Sequence, residues 1–130
     1  MNNCYTIDIE GALVDALIAE GYKAFAPPVS ADVGAGSVYV WRIGGSRQSY
    51  VQDWHQLSVD CYGTTSAEAM SLACELTGWL GDLEGQQVGG VPVYQVRITT
   101  LPYENPDPVN YSLRRSTFAA RVITRVKHDN

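Results

Sequence analysis

The sequence predicts an α+β fold: one mixed, mainly antiparallel sheet of four to five strands with two helices packed on it, in the order α-β-β-β-α-β-β. Three observations predict it. Residues 54–62 place Leu57, Val59 and Cys61 on one side and Gln56, Ser58, Asp60 and Tyr62 on the other, the period of a strand with one buried face. Gly63, Thr64, Thr65 and Ser66 break that pattern. Thr65 then precedes Glu68 at capping-box spacing, and Ala69, Leu72, Ala73, Leu76, Leu80 and Leu83 share one helical stripe. Residues 116–126 alternate Phe118, Ala120, Val122 and Val126 against Thr117, Arg121 and Arg125, the most regular strand of the chain, with a basic outward face.

The other elements follow in order. Asp8 suits the N-cap of a first helix over residues 9–19, where Ile9, Leu13, Ala16 and Leu17 recur at helical spacing and Gly21 supplies the stop. Residues 22–26 suit a short strand, closed by Pro27 and Pro28, which exclude a central ladder position. Residues 29–37, with Gly34 and Gly36, read as a loop. Residues 37–43 are β-branched and aromatic, hence a strand, and residues 44–49 form the flexible tip of its hairpin with the strand ending at Tyr62. Residues 81–90 are a glycine-bearing loop and residues 91–99 a strand. Residues 101–110 contain Pro102, Pro106 and Pro108 with Asn105 and Asn110, a composition that excludes regular structure and gives a long loop of the kind that often carries function. Strand, helix and strand in succession imply one crossover, right-handed if the two strands are parallel neighbours.

At 130 residues the chain makes one domain with one core. Its net charge of −5 argues against binding a nucleic-acid backbone, but the charge is uneven. Residues 1–90 carry 11 acids and 3 bases, whereas residues 91–130 carry 3 acids and 6 bases. A subunit with one acidic and one basic side suits head-to-tail packing against copies of itself. Cys4, Cys61 and Cys74 are odd in number and far apart, which excludes a disulfide framework and a CxxC metal site. Cys61 and Cys74 read as buried thiols in a reducing compartment. The start, Met1 to Cys4, has no basic region, and no apolar run approaches the length of a membrane span, so the expectation is a protein made in the cytoplasm with no membrane partner.

The catalytic inventory is thin. Asp53 and His55 share a strand face and suit a metal site or a base with its orienter, but no nucleophile motif accompanies them, and a metal would have to recruit Asp60 or a distant carboxylate. His128 falls in a C-terminus expected to fray. The glycine pairs lack the phosphate-binding patterns and read as turn residues. No catalytic, cofactor or metal residues are therefore assigned. Arg114, Arg115, Arg121, Arg125 and Lys127 are the basic feature. The face shared by Arg121 and Arg125 lacks the aromatic interleaving that stacks bases, so acidic neighbours are the expected use. Three tryptophans and eight tyrosines are many for this length and favour protein contacts, with Tyr62 on the polar strand face the best exposed candidate.

In this layout the chain resembles the tail terminator proteins of long-tailed bacteriophages, a group related to head–tail connector and tail completion proteins. The resemblance lies in the short N-terminal helix, the polar-tipped hairpin over residues 38–62 and the Thr-x-x-Glu helix opening at Thr65. The proline-rich excursion over residues 101–110 and the closing strand over residues 118–126 complete it. The passage Val59-Asp60-Cys61-Tyr62-Gly63-Thr64-Thr65-Ser66-Ala67-Glu68-Ala69 resembles their strand-to-helix junction, as does the pairing of Pro102 and Tyr103 with an arginine-rich last strand. The resemblance implies a non-enzymatic virion protein at the head–tail junction. It implies a hexameric ring that caps the tail tube, ends its polymerisation and joins it to the head connector. Its partners would be copies of itself, the major tail tube protein and connector proteins, with DNA passing through an acidic channel without specific binding. On that basis the tip over residues 44–53, with Arg47, Tyr50 and Asp53, and the loop over residues 102–110, with Tyr103, reach neighbours. Arg114, Arg115, Arg121 and Arg125 meet Glu68, Glu75 or Asp82 of an adjacent copy. The alternative in the same class is another connector or minor tail protein. The distant alternative is a small metal-dependent hydrolase or nuclease using Asp53, His55 and Asp60.

Overall fold

The computed structural model describes residues 3–129; Met1, Asn2 and Asn130 lie outside the described residues. The chain forms β1 (Asn3–Tyr5), α1 (Ile9–Ala19), β2 (Lys23–Phe25), β3 (Ser37–Arg47), β4 (Gln52–Gly63), α2 (Ser66–Gly81), β5 (Gln87–Val88), β6 (Val91–Glu104), β7 (Arg114–Arg125) and β8 (Lys127–Asp129). A six-stranded sheet runs in the order β2-β3-β4-β7-β6-β5, parallel only between β2 and β3, and β1 pairs with β8 in a separate ribbon. The α+β class is as expected, with more strands than the sequence shows.

Both helices form where their caps dictate. The Asp8 carboxylate accepts the Gly11 N–H at 3.1 Å. The end of α1 closes by Tyr22 N–H to Leu17 C=O and Gly21 N–H to Ile18 C=O, both 3.0 Å. This pattern needs a left-handed residue, which Gly21 supplies at φ 95°. At α2, Thr65 Oγ1 accepts the Glu68 N–H at 3.1 Å, and the Glu68 carboxylate accepts the N–H of Thr64 at 2.9 Å. The capping box thus closes one residue earlier than its usual form.

The helices lie on one face of the sheet. Ile9, Leu13 and Leu17 of α1 and Ala73, Leu76 and Leu80 of α2 pack with Val38, Val40, Leu57, Val59, Cys61, Phe118, Ala120 and Val122 into one core. α2 carries the chain from β4 to β6. These strands run parallel to each other but are not neighbours, because β7 lies antiparallel between them.

Four sequence expectations need correction. The strand β3 continues through Gly44 and Gly45, beyond a register shift after Arg42, so the hairpin tip is shorter than residues 44–49. The strand β6 continues through Pro102 to Glu104, where residues 101–110 predicted no regular structure. Beyond its pairing with β5 at Val91 and Pro92, β6 has a strand on one side only among the described residues, so a residue without an N–H costs the ladder little. His128 is held in β8 opposite Cys4, with Sγ and Nδ1 3.3 Å apart, in place of a frayed end. Cys74 is exposed, one step off the buried stripe, whereas Cys61 is buried and its thiol pKa is pushed up by desolvation. Among the described residues no helix is long and apolar enough to cross a membrane.

Candidate functional site

The side of the sheet away from the helices is the candidate surface. Strand alternation puts Trp54, Gln56, Ser58, Asp60 and Tyr62 of β4 there, opposite Ile123, Arg121, Ala119, Thr117 and Arg115 of β7. Trp41 pairs with Ser58 from the β3 side, and Arg97 pairs with Arg121 from the β6 side. The Arg121 guanidinium lies 4.3 Å from the centre of the Trp54 ring, a cation–π contact. The expectation that this basic face lacks aromatic residues is therefore wrong. β7 carries none beside its arginines, but the neighbouring strands supply Trp54 and Trp41. Continuing the β4 alternation two residues back to Trp54 finds the first of them once the β4–β7 pairing is known.

One end of this face is closed over. The loop after β6 folds back so that Asp107 accepts the Tyr62 hydroxyl at 2.8 Å and the Asn110 amide and Val109 N–H, each at 2.9 Å. Burial opposes ionisation of Asp107. The donated bonds from Asn110, Val109 and Tyr62, with the nearby Arg115 charge, outweigh it and bring the pKa down to about 2. Arg115 donates to the carbonyls of Asn105 and Pro106, and its guanidinium lies 3.9 Å from Asp60. Asp60 accepts the Thr117 hydroxyl at 2.7 Å. Tyr62, the residue expected to be most available, is 1% exposed. It sits edge-on against Tyr39, and burial and its bond to Asp107 push its pKa up to about 12. Tyr62 and Arg115 therefore serve the loop's own closure.

Asp53 and His55 lie on the opposite, helix-bearing side. Arg47 holds Asp53 with two bonds, Nε to Oδ1 at 2.7 Å and Nη2 to Oδ2 at 3.0 Å, and also donates to Thr6. These bonds hold the Asp53 carboxyl below its ordinary range. His55 is fully buried, with Nε2 2.9 Å from Thr124 Oγ1 and Nδ1 without a partner among the described residues. Because Asp60 points to the other side of the sheet, Asp53, His55 and Asp60 do not converge. Among the described residues no group of three or more His, Cys, Asp or Glu side chains is placed to hold a metal ion.

His55 makes the fold acid-sensitive. Burial, then the Arg42 charge, lowers its pKa from 6.5 to about 4. Between those values the unfolded chain binds a proton that the folded chain does not, so this contribution is complete above pH 6.5 and is lost as pH falls towards 4. Urea unfolding is expected to lose on the order of 2 kcal/mol from this source between pH 7 and 4.5. The His55→Gln variant should lack that slope, and an unchanged slope contradicts the assignment.

The remaining candidates are spread over the surface. Tyr50 is 89% exposed at the β3–β4 tip and Tyr103 46% exposed near the end of β6. Arg114 and Arg125 are exposed at the two ends of β7. Glu68 serves the α2 cap, and Glu75 accepts the Tyr22 hydroxyl at 2.7 Å, which raises the tyrosine pKa to about 12. Asp82 caps the end of α2. Charge is biased between the two faces, with Arg47 beside Asp53 on the helix-bearing side and Asp60 on the open side as the exceptions. Neither helix contains a lysine or arginine, while Asp15, Glu20, Glu75 and Asp82 are exposed along the helical layer. Arg97, Arg115, Arg121 and Arg125 all project from the opposite face. Compared with known proteins, no family model matches the chain, and no curated protein matches it in sequence.

Proposed function

We propose that this chain is a structural subunit that assembles with copies of itself into a ring at the end of a phage tail, acting as a tail terminator or a neighbouring head–tail connector or minor tail protein. The observation that carries this reading is the bias of charge between two opposite faces of one sandwich, with helices that carry acids and no bases and an open sheet that carries Arg97, Arg115, Arg121 and Arg125. Such a subunit attracts the unlike face of the next copy and repels the like one, which favours a head-to-tail contact that closes into a ring. The exposed ends of the hairpins, with Tyr50 at one and Tyr103 near the other, are free to meet the tail tube and the head connector. The overall negative charge suits a conduit through which DNA moves without being held. The metal-dependent hydrolase alternative receives no support from the placement of Asp53, His55 and Asp60.

The test is to inactivate the gene in its genome of origin and image the particles formed. DNA-filled heads with separate tubes of unregulated length are expected. Normal tailed virions that lack this polypeptide contradict the proposal.

A further inference from the structure

The uncovered part of the open sheet face has an unusual donor inventory. Trp41 Nε1, Trp54 Nε1 and Arg121 Nε are buried without a partner among the described residues. All three are donors only, and leaving a buried donor unpaired is costly. Arg97, Arg121 and Arg125 have no carboxylate within ion-pair distance among the described residues, unlike Arg47 and Arg115. The register places the small side chains of Ser58 and Ala119 in one row with Trp41, and Gln56 beside Arg121 in the next row towards Trp54. Tryptophan and arginine grouped on one open sheet face are the composition of an interface hot spot.

Resting on the ring reading above, we propose that this face receives the helical layer of a second copy, whose exposed Asp15, Glu20 and Asp82 supply the acceptors that Arg97, Arg121 and Arg125 lack. Complementarity within one chain selects that occupant. Neither helix contains a lysine or arginine, and Asp60 on the open face is already bonded to Thr117. A nucleic-acid strand is the less favoured occupant, because the Trp54 ring is already engaged by Arg121 and the chain carries net charge −5.

The experiment measures self-association of the full chain by sedimentation and native mass spectrometry. Arg121→Glu and, separately, the exposed Arg97→Glu are expected to weaken association about 30-fold or more, and the helix-side double variant Asp15→Lys with Asp82→Lys by a similar factor. Circular dichroism establishes that each variant is folded. Mixing the Arg121→Glu chain with the helix-side variant should give mixed oligomers, because one unchanged arginine face still meets one unchanged acidic face. Wild-type rings unaffected by folded Arg97→Glu or Arg121→Glu overturn this surface assignment and leave the ring reading standing. A wild-type chain that stays monomeric, alone and with tail tubes, overturns both. Binding of a labelled oligothymidylate that is lost in Arg121→Glu, with association unchanged, assigns the face to nucleic acid and overturns the proposal.

Discussion

Replacing Asp107 by alanine is expected to cost about 2–4 kcal/mol in urea unfolding and to release the loop that follows β6. The carboxylate accepts three bonds, from Tyr62, Asn110 and Val109, and lies 4.0 Å from the partly buried Arg115 guanidinium. Alanine removes every acceptor at once and leaves the Tyr62 hydroxyl buried without a partner. Tyr62→Phe removes one bond and should cost about 1–2 kcal/mol. Amide exchange in residues 105–113 should quicken in Asp107→Ala far more than in the helices. Because the Asp107 pKa is lowered from 3.8 to about 2, its contribution is complete above the higher value and falls away as pH drops towards the lower one. A loss under 0.5 kcal/mol in Asp107→Ala would show that the loop is not held by this network. The loop matters because it fixes where Val109 and Tyr111, both largely exposed, are presented. A loop held in place before contact loses less entropy on docking.

Gly63→Ala should be comparably damaging, for a reason of space. A β-carbon at Gly63 would stand 2.6 Å from the Ala69 backbone nitrogen and 2.9 Å from the Glu68 β-carbon. The end of β4 therefore touches the first turn of α2 at the only kind of residue that fits. Relief requires α2 to move off its cap, at about 2–4 kcal/mol. Gly78→Ala in the same helix is the internal control. Nothing lies within 4 Å of its added carbon, and the gain in helix propensity should stabilise the chain by about 0.5–1 kcal/mol. Equal effects of the two substitutions would contradict the packing described for the β4–α2 junction.

The helices and central strands were legible because each carries its own periodicity and punctuation. Asp8 and Gly21 bracket α1, Thr65 and Glu68 open α2, and the alternation in β4 and β7 identifies the buried side of each. The ribbon of β1 and β8 was not legible. It joins Cys4 to His128 across nearly the whole chain, and neither three-residue strand has a pattern of its own. Extension of β6 through Pro102 was missed because a proline is disqualifying in a central strand and tolerated on a free edge, and only the sheet order tells which applies. The burial of Tyr62 is not readable from its strand for a related reason. Alternation correctly put it on the face without helices, but the loop that buries it comes from residues far along the chain. The Trp54–Arg121 stack needs the antiparallel register between β4 and β7, which pattern within a single strand does not contain.

Self-assembly is the claim on which the functional account rests, and the most direct measurement is the native mass of the purified chain at micromolar concentration and low salt. The account predicts a closed oligomer, six copies of the 14.2 kDa chain or about 85 kDa for a hexamer, dissociating as ionic strength rises because the contact is between opposite charges. A single species of 14.2 kDa at every concentration and salt, with and without tail tubes present, contradicts it.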